Sequence, residues 1–421
     1  MRGPYAALFG AASLLCAVLA SASPSGSPPV LGGSPLQQAM QSIWLSSPEV
    51  DAVRAQLDAA RARARAAAQP LYNPSVALEA ENADVNRRTA GLSLALDLSG
   101  KRRARAAQGD AALQVAEAGY DLVRRDIATR WLKAWAGAML AARQSDLGTR
   151  RVALMRRFDE LATKRLGVGD ISSPERDLAG LALGEAQMQQ ATLTSNQAGA
   201  QAALLAISGE RLANMPDLPA RTPPPATAVT PLSSDDLPAI VQARAQQSSA
   251  EAGEQVARRN RIPDPTVSLT GGRVSAGQMN DRVIGVSVSI PLPVLNTGRA
   301  EVDAARADVA AAAADLRSRQ FLARAVLQEA LARYVAMRQA SEAFHAGRAG
   351  AFEDRTAMLE KLWQAGEIST SDYLVQLKQS LDTALSGIEL ETQTWQAWFD
   401  YLNAAGRLTD WLDGNLQDSS P

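Results

Sequence analysis

Beyond its opening apolar run this chain contains no cysteine: the only one, Cys16, lies inside that run. A mature chain without thiols has no disulfide and no thiolate metal ligand, so packing alone must hold it. Histidine is as scarce. His345 is the single example, and without Cys or a second His it builds neither a tight transition-metal site nor a nucleophile–base pair. No catalytic residue, no cofactor and no resident metal is therefore expected. An excess of one charge is also missing: 43 basic residues meet 44 acidic ones, which argues against nucleic acid as a partner. Aromatic residues make up only 5%, so close packing falls to the abundant alanines, which suit long helices. After the opening run no stretch approaches the length of a membrane-spanning helix. Entry into a membrane would have to be as a β-barrel.

What is present begins with a leader. Arg2 precedes an apolar stretch over residues 6–20, and Ala20-Ser21-Ala22 offers a small-residue cleavage site. The pattern predicts a secretory signal peptide over residues 1–22. Leu15 in front of Cys16 does not suit an acylation site, so an unlipidated start is expected.

Three landmarks then recur in order, which points to an internal repeat. Asn73-Pro74 answers to Asp264-Pro265, Gly100-Lys101 to Gly298-Arg299, and Gly169-Asp170-Ile171-Ser172 to Gly366-Glu367-Ile368-Ser369. From Gly100 to Gly169 is 69 positions, and from Gly298 to Gly366 is 68. The first repeat spans 23–213, with a helix, a β-hairpin at 74–98, a long helix at 101–166, a tip turn at 167–173 and a return helix at 174–208. A Pro- and Ser-rich linker over 214–236 reads as an extended crossing segment. The second repeat spans 237–406, with a helix, a hairpin at 265–293, a long helix at 299–364, a tip turn at 365–370 and a return helix at 371–405. A tail occupies 407–421. Ser46 and Glu49 suggest a capping box opening the first helix, with Pro48 in its first turn.

The hairpins alternate strictly. Val76, Leu78, Ala80, Leu92, Leu94 and Leu96 share one face, as do Ile284, Val286, Val288, Ile290 and Leu292. The other face carries Ser, Ala, Thr and Gly with the carboxylates Glu79, Glu81 and Asp97. Such alternation fits membrane strands and equally a hairpin on a soluble core. The long helices decide between them. Val302, Val309, Leu316, Ala323, Ala330, Met337, Phe344, Ala351 and Met358 recur every seven residues; so do Leu113, Tyr120, Ile127, Ala134, Ala141, Gly148, Met155 and Ala162. Sustained heptads mean coiled-coil packing, and about 66 helical residues extend roughly 100 Å, too long for a compact domain. Four strands cannot close alone, and an open edge is not tolerated in lipid. Two copies would give an eight-stranded barrel filled by side chains, for which Ser, Ala and Gly are too small. The fold expected is thus a mixed α+β membrane protein: a homotrimeric, 12-stranded β-barrel with four strands per chain, continued by an α-helical coiled-coil tunnel and built on a two-fold sequence repeat. Glu79, Glu81 and Asp97 would face the barrel lumen. Trp131, Trp135, Trp395 and Trp398 would meet in the helical core, and the arginine-rich run 150–157 would be a solvated face with pairs between subunits.

GLSLALDLSGKRRAR, PDPTVSLT, VSVSIPLPVLNTGRAEVDAARADV and the two tip turns together resemble the outer-membrane factors of tripartite efflux systems, the TolC type. Within that family the NP…LDLSGKR and PLPVLNTGR segments are most similar to the outer-membrane components of cobalt–zinc–cadmium resistance pumps. The resemblance implies a passive channel-tunnel in the outer membrane of a Gram-negative bacterium, reaching into the periplasm. It also implies two protein partners, a periplasmic adaptor and an inner-membrane RND pump, with outer-membrane lipid around the barrel and heavy-metal cations as cargo. It places Gly169, Asp170, Ser172, Gly366, Glu367 and Ser369 against the adaptor, although as turn chemistry these residues are complete without one. It puts Asp372, and by symmetry Glu175, at the tunnel entrance; a favourable charge at a helix N-terminus would account for either. An outer-membrane factor for drug efflux or type I protein secretion shares these motifs. A soluble periplasmic coiled-coil scaffold would share the heptads but has no use for four alternating strands.

Overall fold

The computed structural model of the protein describes residues 35–82, 84–209, 216–218, 222–276, 279–347 and 352–414. The leader expected over 1–22 lies outside them. Two helices, α1 (Pro35–Ser46) and α2 (Pro48–Ala67), come first. The capping box expected at Ser46 does not form, because Ser46 closes α1 and the N-cap of α2 is Ser47, whose side chain makes no capping bond. Pro48 at the start and Glu49 and Asp51 in the first turn still favour a helix there.

Strands β1 (Ser75–Glu81) and β2 (Val85–Ala95) form the first hairpin, and β3 (Thr266–Ala276) and β4 (Met279–Ser289) the second. They join in one antiparallel sheet in the order β1-β2-β3-β4, the two repeats meeting through β2 and β3. The outer edges of β1 and β4 have no partner among the described residues. β4 stops at Ser289, where Pro291 and Pro293 remove ladder donors.

From the sheet descends α3 (Lys101–Val168), 68 residues and about 100 Å long. Its return partner is α4 (Ser173–Ser208). Every heptad residue of α3 is partly or fully buried, and the single glycine among them has a packing reason. A Cβ on Gly148 would sit 2.0 Å from Gln190 Oε1 and 2.7 Å from Leu193 Cδ1, so the missing side chain is what lets α4 approach. In the second repeat α5 (Pro238–Asn260) leads to the sheet, and α6 (Arg299–Ala346) descends from it.

The single helix read over 299–364 is interrupted. α6 ends at Ala346, where Gly347 turns extended at φ −79°, ψ 167°, and a separate α7 (Phe352–Gln364) follows. The heptad keeps its phase from Val302 to Phe344, none of those seven residues being exposed. Beyond the break it slips: Met358 is 63% exposed while Leu359 is buried. Helix α8 (Thr370–Ala404) returns, and the tail begins with a short α9 (Leu408–Leu412) whose two leucines are buried.

Two cores result. The larger unites Trp131, Trp135, Trp395 and Trp398, all fully buried, with Tyr334 and Phe399. The smaller lies near the far ends of α3, α4, α7 and α8. The linker is bound rather than merely crossing: its backbone carbonyls accept from Trp135 Nε1 (Pro216, 3.0 Å), Arg338 Nε (Pro223, 3.2 Å), Tyr334 Oη (Pro224) and Arg407 Nε (Thr230, 2.9 Å). Prolines leave carbonyls with no sheet or helix to join, and the core's polar tips satisfy them.

Sheet meets helices at a cluster drawn from both repeats. Lys101 Nζ lies 2.8 Å from Asp264 Oδ2, with both side chains nearly buried, and Tyr72 Oη donates to the same oxygen at 2.5 Å. That hydrogen bond, with burial, pushes the Tyr72 hydroxyl up to about 12. Removing one member of a buried ion pair strands the other. Lys101→Met, which keeps the aliphatic stem, should therefore cost about 3 kcal/mol, and Tyr72→Phe about 1 kcal/mol. Thermal unfolding of the detergent-solubilised protein should place the Lys101→Met midpoint below that of Tyr72→Phe, with the parent highest; equal midpoints would mean the cluster is solvated.

Candidate functional site

The strand register builds two unlike faces. Val76, Leu92, Leu269 and Val286 form one row across all four strands, with Leu78, Ala90, Gly271 and Ile284 beside it. This face is bare: Leu78 and Ile284 are each 82% exposed, and no element among the described residues covers them. On the reverse, Ser75, Ser93, Ser268 and Ser287 make a row of four hydroxyls, followed by Ala77, Gly91, Thr270 and Gly285. Short hydroxyls and backbone give that wall wetting without bulk.

Glu79 and Glu81 lie on the hydroxyl face. Glu79 accepts from Thr89 Oγ1 at 3.2 Å, and Glu81 stands opposite Arg87. Asp97 does not take the strand position expected of it. β2 ends at Ala95, and the Asp97 carboxylate turns to the start of α3, accepting from the backbone N–H groups of Lys101 and Arg102 at 2.8 Å each. Burial opposes its ionisation, but the backbone N–H groups of Arg102, Lys101 and Gly100 outweigh it and hold the carboxyl below its ordinary value. Asp97 ties sheet to helix.

At the other end both tips use one mechanism. Gly169 (φ 82°) and Gly366 (φ 76°) are left-handed. Gly169 N–H donates to Leu166 O at 3.1 Å and Asp170 N–H to Arg165 O at 2.9 Å; Gly366 N–H and Glu367 N–H repeat this on Trp363 O and Leu362 O at 3.0 and 2.9 Å. These crossed bonds satisfy the last helical carbonyls, and only glycine adopts the turn without strain. Ser172 and Ser369 then cap α4 and α8.

The caps differ in the residue three positions on. The Glu175 carboxylate accepts from both the N–H and the hydroxyl of Ser172 at 2.8 Å each, and these two bonds lower its pKa. Asp372 is one methylene shorter and does not bond the Ser369 N–H. It accepts only from the Ser369 hydroxyl at 2.7 Å, returning its own N–H to that oxygen at 3.1 Å, and stays exposed. The tips stand side by side: Arg165 lies 4.6 Å over the Trp363 ring and reaches Gln364 O at 3.4 Å.

Beneath them is a clasp the sequence reading missed. Phe158, Trp363 and Tyr373 pack with ring centroids 4.6 to 5.2 Å apart. The positions matching Trp363 and Tyr373 in the first repeat are Leu166 and Arg176, so a search for shared wording passes over them. Arg151 likewise departs from its expected solvated face: it is buried, and pairs within the chain with Asp382 at 3.0 Å and with Gln189. Among the described residues no three His, Cys, Asp or Glu side chains gather as a metal site, and no helix is long and apolar enough to cross a membrane.

Comparison with known proteins follows this geometry. The sequence matches the outer membrane efflux protein family over residues 39–210 and 234–407. It is 27% identical to the cobalt-zinc-cadmium resistance protein CzcC of Cupriavidus metallidurans over 240 residues, covering 55% of this chain and 57% of that one. It is 28% identical to the nickel-cobalt-cadmium resistance protein NccC of Alcaligenes xylosoxydans xylosoxydans over 296 residues, covering 66% of this chain and 64% of that one. Both matches span less than two thirds of the relative. The fold is that of the Campylobacter jejuni CmeC outer membrane channel, with a TM-score of 0.70 at 14% identity over 91% of this chain and 89% of that one.

The Glu175 cap carries a pH signature. A carboxyl held below its ordinary value contributes stability that is complete above the ordinary glutamate value and is lost as the pH falls through the lowered one. Amide hydrogen exchange at residues 169–175 should therefore be slow at pH 7 and accelerate as the pH falls past the carboxylate range, once corrected for intrinsic rates. Glu175→Ala should exchange fast at both ends, and identical profiles for the two proteins would remove the carboxylate from the cap.

Proposed function

Because the chain belongs to the outer membrane efflux protein family, we propose that three copies form the outer-membrane channel-tunnel of a tripartite, RND-type efflux system and pass heavy-metal cations outward without doing chemistry on them. The observation that carries this reading is the sheet: four strands with both outer edges unpaired and one apolar face bare. In lipid the bare face is at home, while the open edges are not. Pairing β4 of one copy with β1 of the next removes every edge. Three copies give 12 strands, and the Ser, Ala, Thr and Gly lining leaves the lumen open.

The helices support the same assembly. Phe321 and Leu322 on α6 and Leu181 and Met188 on α4 are each more than 60% exposed in the single chain, an apolar surface that sister copies would cover. The barrel sits in the outer membrane of a Gram-negative bacterium and the helices hang in the periplasm, reached through the leader at 1–22. The tips at Gly169–Ser172 and Gly366–Ser369 dock a periplasmic adaptor fed by an inner-membrane pump. Asp372, with the freer carboxylate, lines the entrance, and Glu175 serves mainly its cap. Cargo class rests on the printed names of the two metal-resistance relatives.

Extracted from outer membrane, the protein should run as a heat-sensitive trimer and conduct in planar bilayers; a water-soluble monomer without channel activity would overturn the reading. Three Asp372 carboxylates around one narrow opening concentrate cations and can be blocked by multivalent ones. Asp372→Ala should raise single-channel conductance or weaken cation preference, and a channel unchanged in both would remove Asp372 from the entrance.

A further inference from the structure

The bare face of the sheet ends in a row that does not suit hydrocarbon. Continuing the register past Leu78, Ala90, Gly271 and Ile284, the next row is Ala80, Arg88, Arg273 and Arg282. Arg88 stands directly opposite Arg273, and Arg273 directly opposite Arg282. Like charges paired across strands destabilise a sheet, and here two such pairs adjoin. No carboxylate partners any of the three among the described residues, because the neighbouring acids, Glu79, Glu81 and Asp281, fall on the opposite face by alternation. The trio lines a groove of about 400 Å³ with Asn86, Ser275, Asn280 and the backbone-adjacent Asp281, which leaves three guanidinium groups against one carboxylate. Ser275 donates to Asn280, which closes the row beyond with neutral polar groups.

Position gives the charge a meaning. The apolar rows from Ile284 to Leu292 cover about 27 Å along the strand, or about 20 Å across a bilayer at a tilt near 40°. The trio lies at the limit of that band, on the hairpin-loop side, away from the helices. Membrane strands commonly anchor this level with aromatic residues, yet the four strands contain no Phe, Tyr or Trp. Each guanidinium offers a planar fork of donors matched to phosphate oxygens.

We propose that Arg88, Arg273 and Arg282 form a site for the phosphate of a lipid headgroup in the outward-facing leaflet, of the phosphorylated glycolipid kind. The acyl chains of such a lipid lie along Leu78, Ile284 and Val286, and its phosphate offsets the repulsion within the trio. The proposal rests on the barrel reading above, since it needs the bare face turned to lipid. In the trimer the site recurs three times.

The full-length protein is reconstituted into zwitterionic vesicles containing a phosphorylated glycolipid or the same lipid after enzymatic dephosphorylation. Lipid retained after mild detergent extraction is counted by mass spectrometry. The native protein should retain the phosphorylated form selectively, losing about 5-fold in retention for each arginine changed to Gln, whereas Arg273→Lys should keep most of it. Inorganic phosphate at millimolar concentration should not displace the lipid. Equal retention of the two lipids by the native protein overturns the proposal even where a variant fails to insert. So does undiminished retention by the Arg88→Gln/Arg273→Gln/Arg282→Gln variant, or displacement by inorganic phosphate, which would mark a free-anion site. Conductance in the same vesicles separates the two readings: a conducting channel without lipid selectivity sinks only this inference, and an absence of conductance sinks the channel itself.

Discussion

The unpaired backbone along β1 and β4 governs the rest of the molecule. A sheet edge in water can be left to solvent, but in hydrocarbon each orphaned N–H or C=O costs several kcal/mol. The chain presents such edges beside a face that water also does not favour, with Ile284 and Leu78 almost wholly exposed. None of the described elements covers that face. In the proposed assembly, closure by sister copies would resolve both problems at once. It also accounts for the repeat: each hairpin needs a long helix beneath it, and two hairpins per chain bring both pairs to one ring. Because β1 has 7 residues against 11 in β4, a seam between copies would pair at most 7 residues, as many as β1 pairs with β2.

The two repeats share their turns and diverge in what surrounds them. Both tips require a left-handed glycine and a serine cap, so these positions coincide. One cap ends in Glu175, folded back on Ser172, and the other in Asp372, whose shorter side chain leaves its charge outward. The clasp beneath the tips uses Phe158 from one repeat with Trp363 and Tyr373 from the other, so it holds the hairpins together only because they differ.

Period and spacing were legible in the sequence, and one-off contacts were not. Alternation fixed which strand residues share a face, since a slip of one residue would turn Leu92 and Val286 to the hydroxyl side. The heptads likewise named the covered stripe of α3. The interruption after Ala346 was hidden because Ala351 and Met358 continued the count across a glycine that tolerates either conformation. Asp97 looked like the next inward strand residue; nothing in the alternation says that the ladder stops at Ala95, two positions earlier. The linker was recognised as irregular, but its carbonyls are bound by Trp135, Arg338 and Arg407 from distant segments, and such pairings leave no mark on local composition. Arg151 was placed on a solvated face for the same reason: its partners Asp382 and Gln189 come from other helices.

In the proposed channel the wall and the tips would share the work of selection. At the loop end of the hydroxyl face Glu81 stands opposite Arg87, while Glu79 and Asp281 on the same face stand opposite Thr89 and Val274. Past Glu79 the rows are serine, glycine, alanine and threonine, which would wet a bore without filling it. In the proposed channel a cation preference would be shared between these strand carboxylates and Asp372 at the tip end, whose side chain is exposed. An export duct benefits from that arrangement. Attraction at the entrance raises the local concentration of cargo, and a weakly binding wall lets it leave.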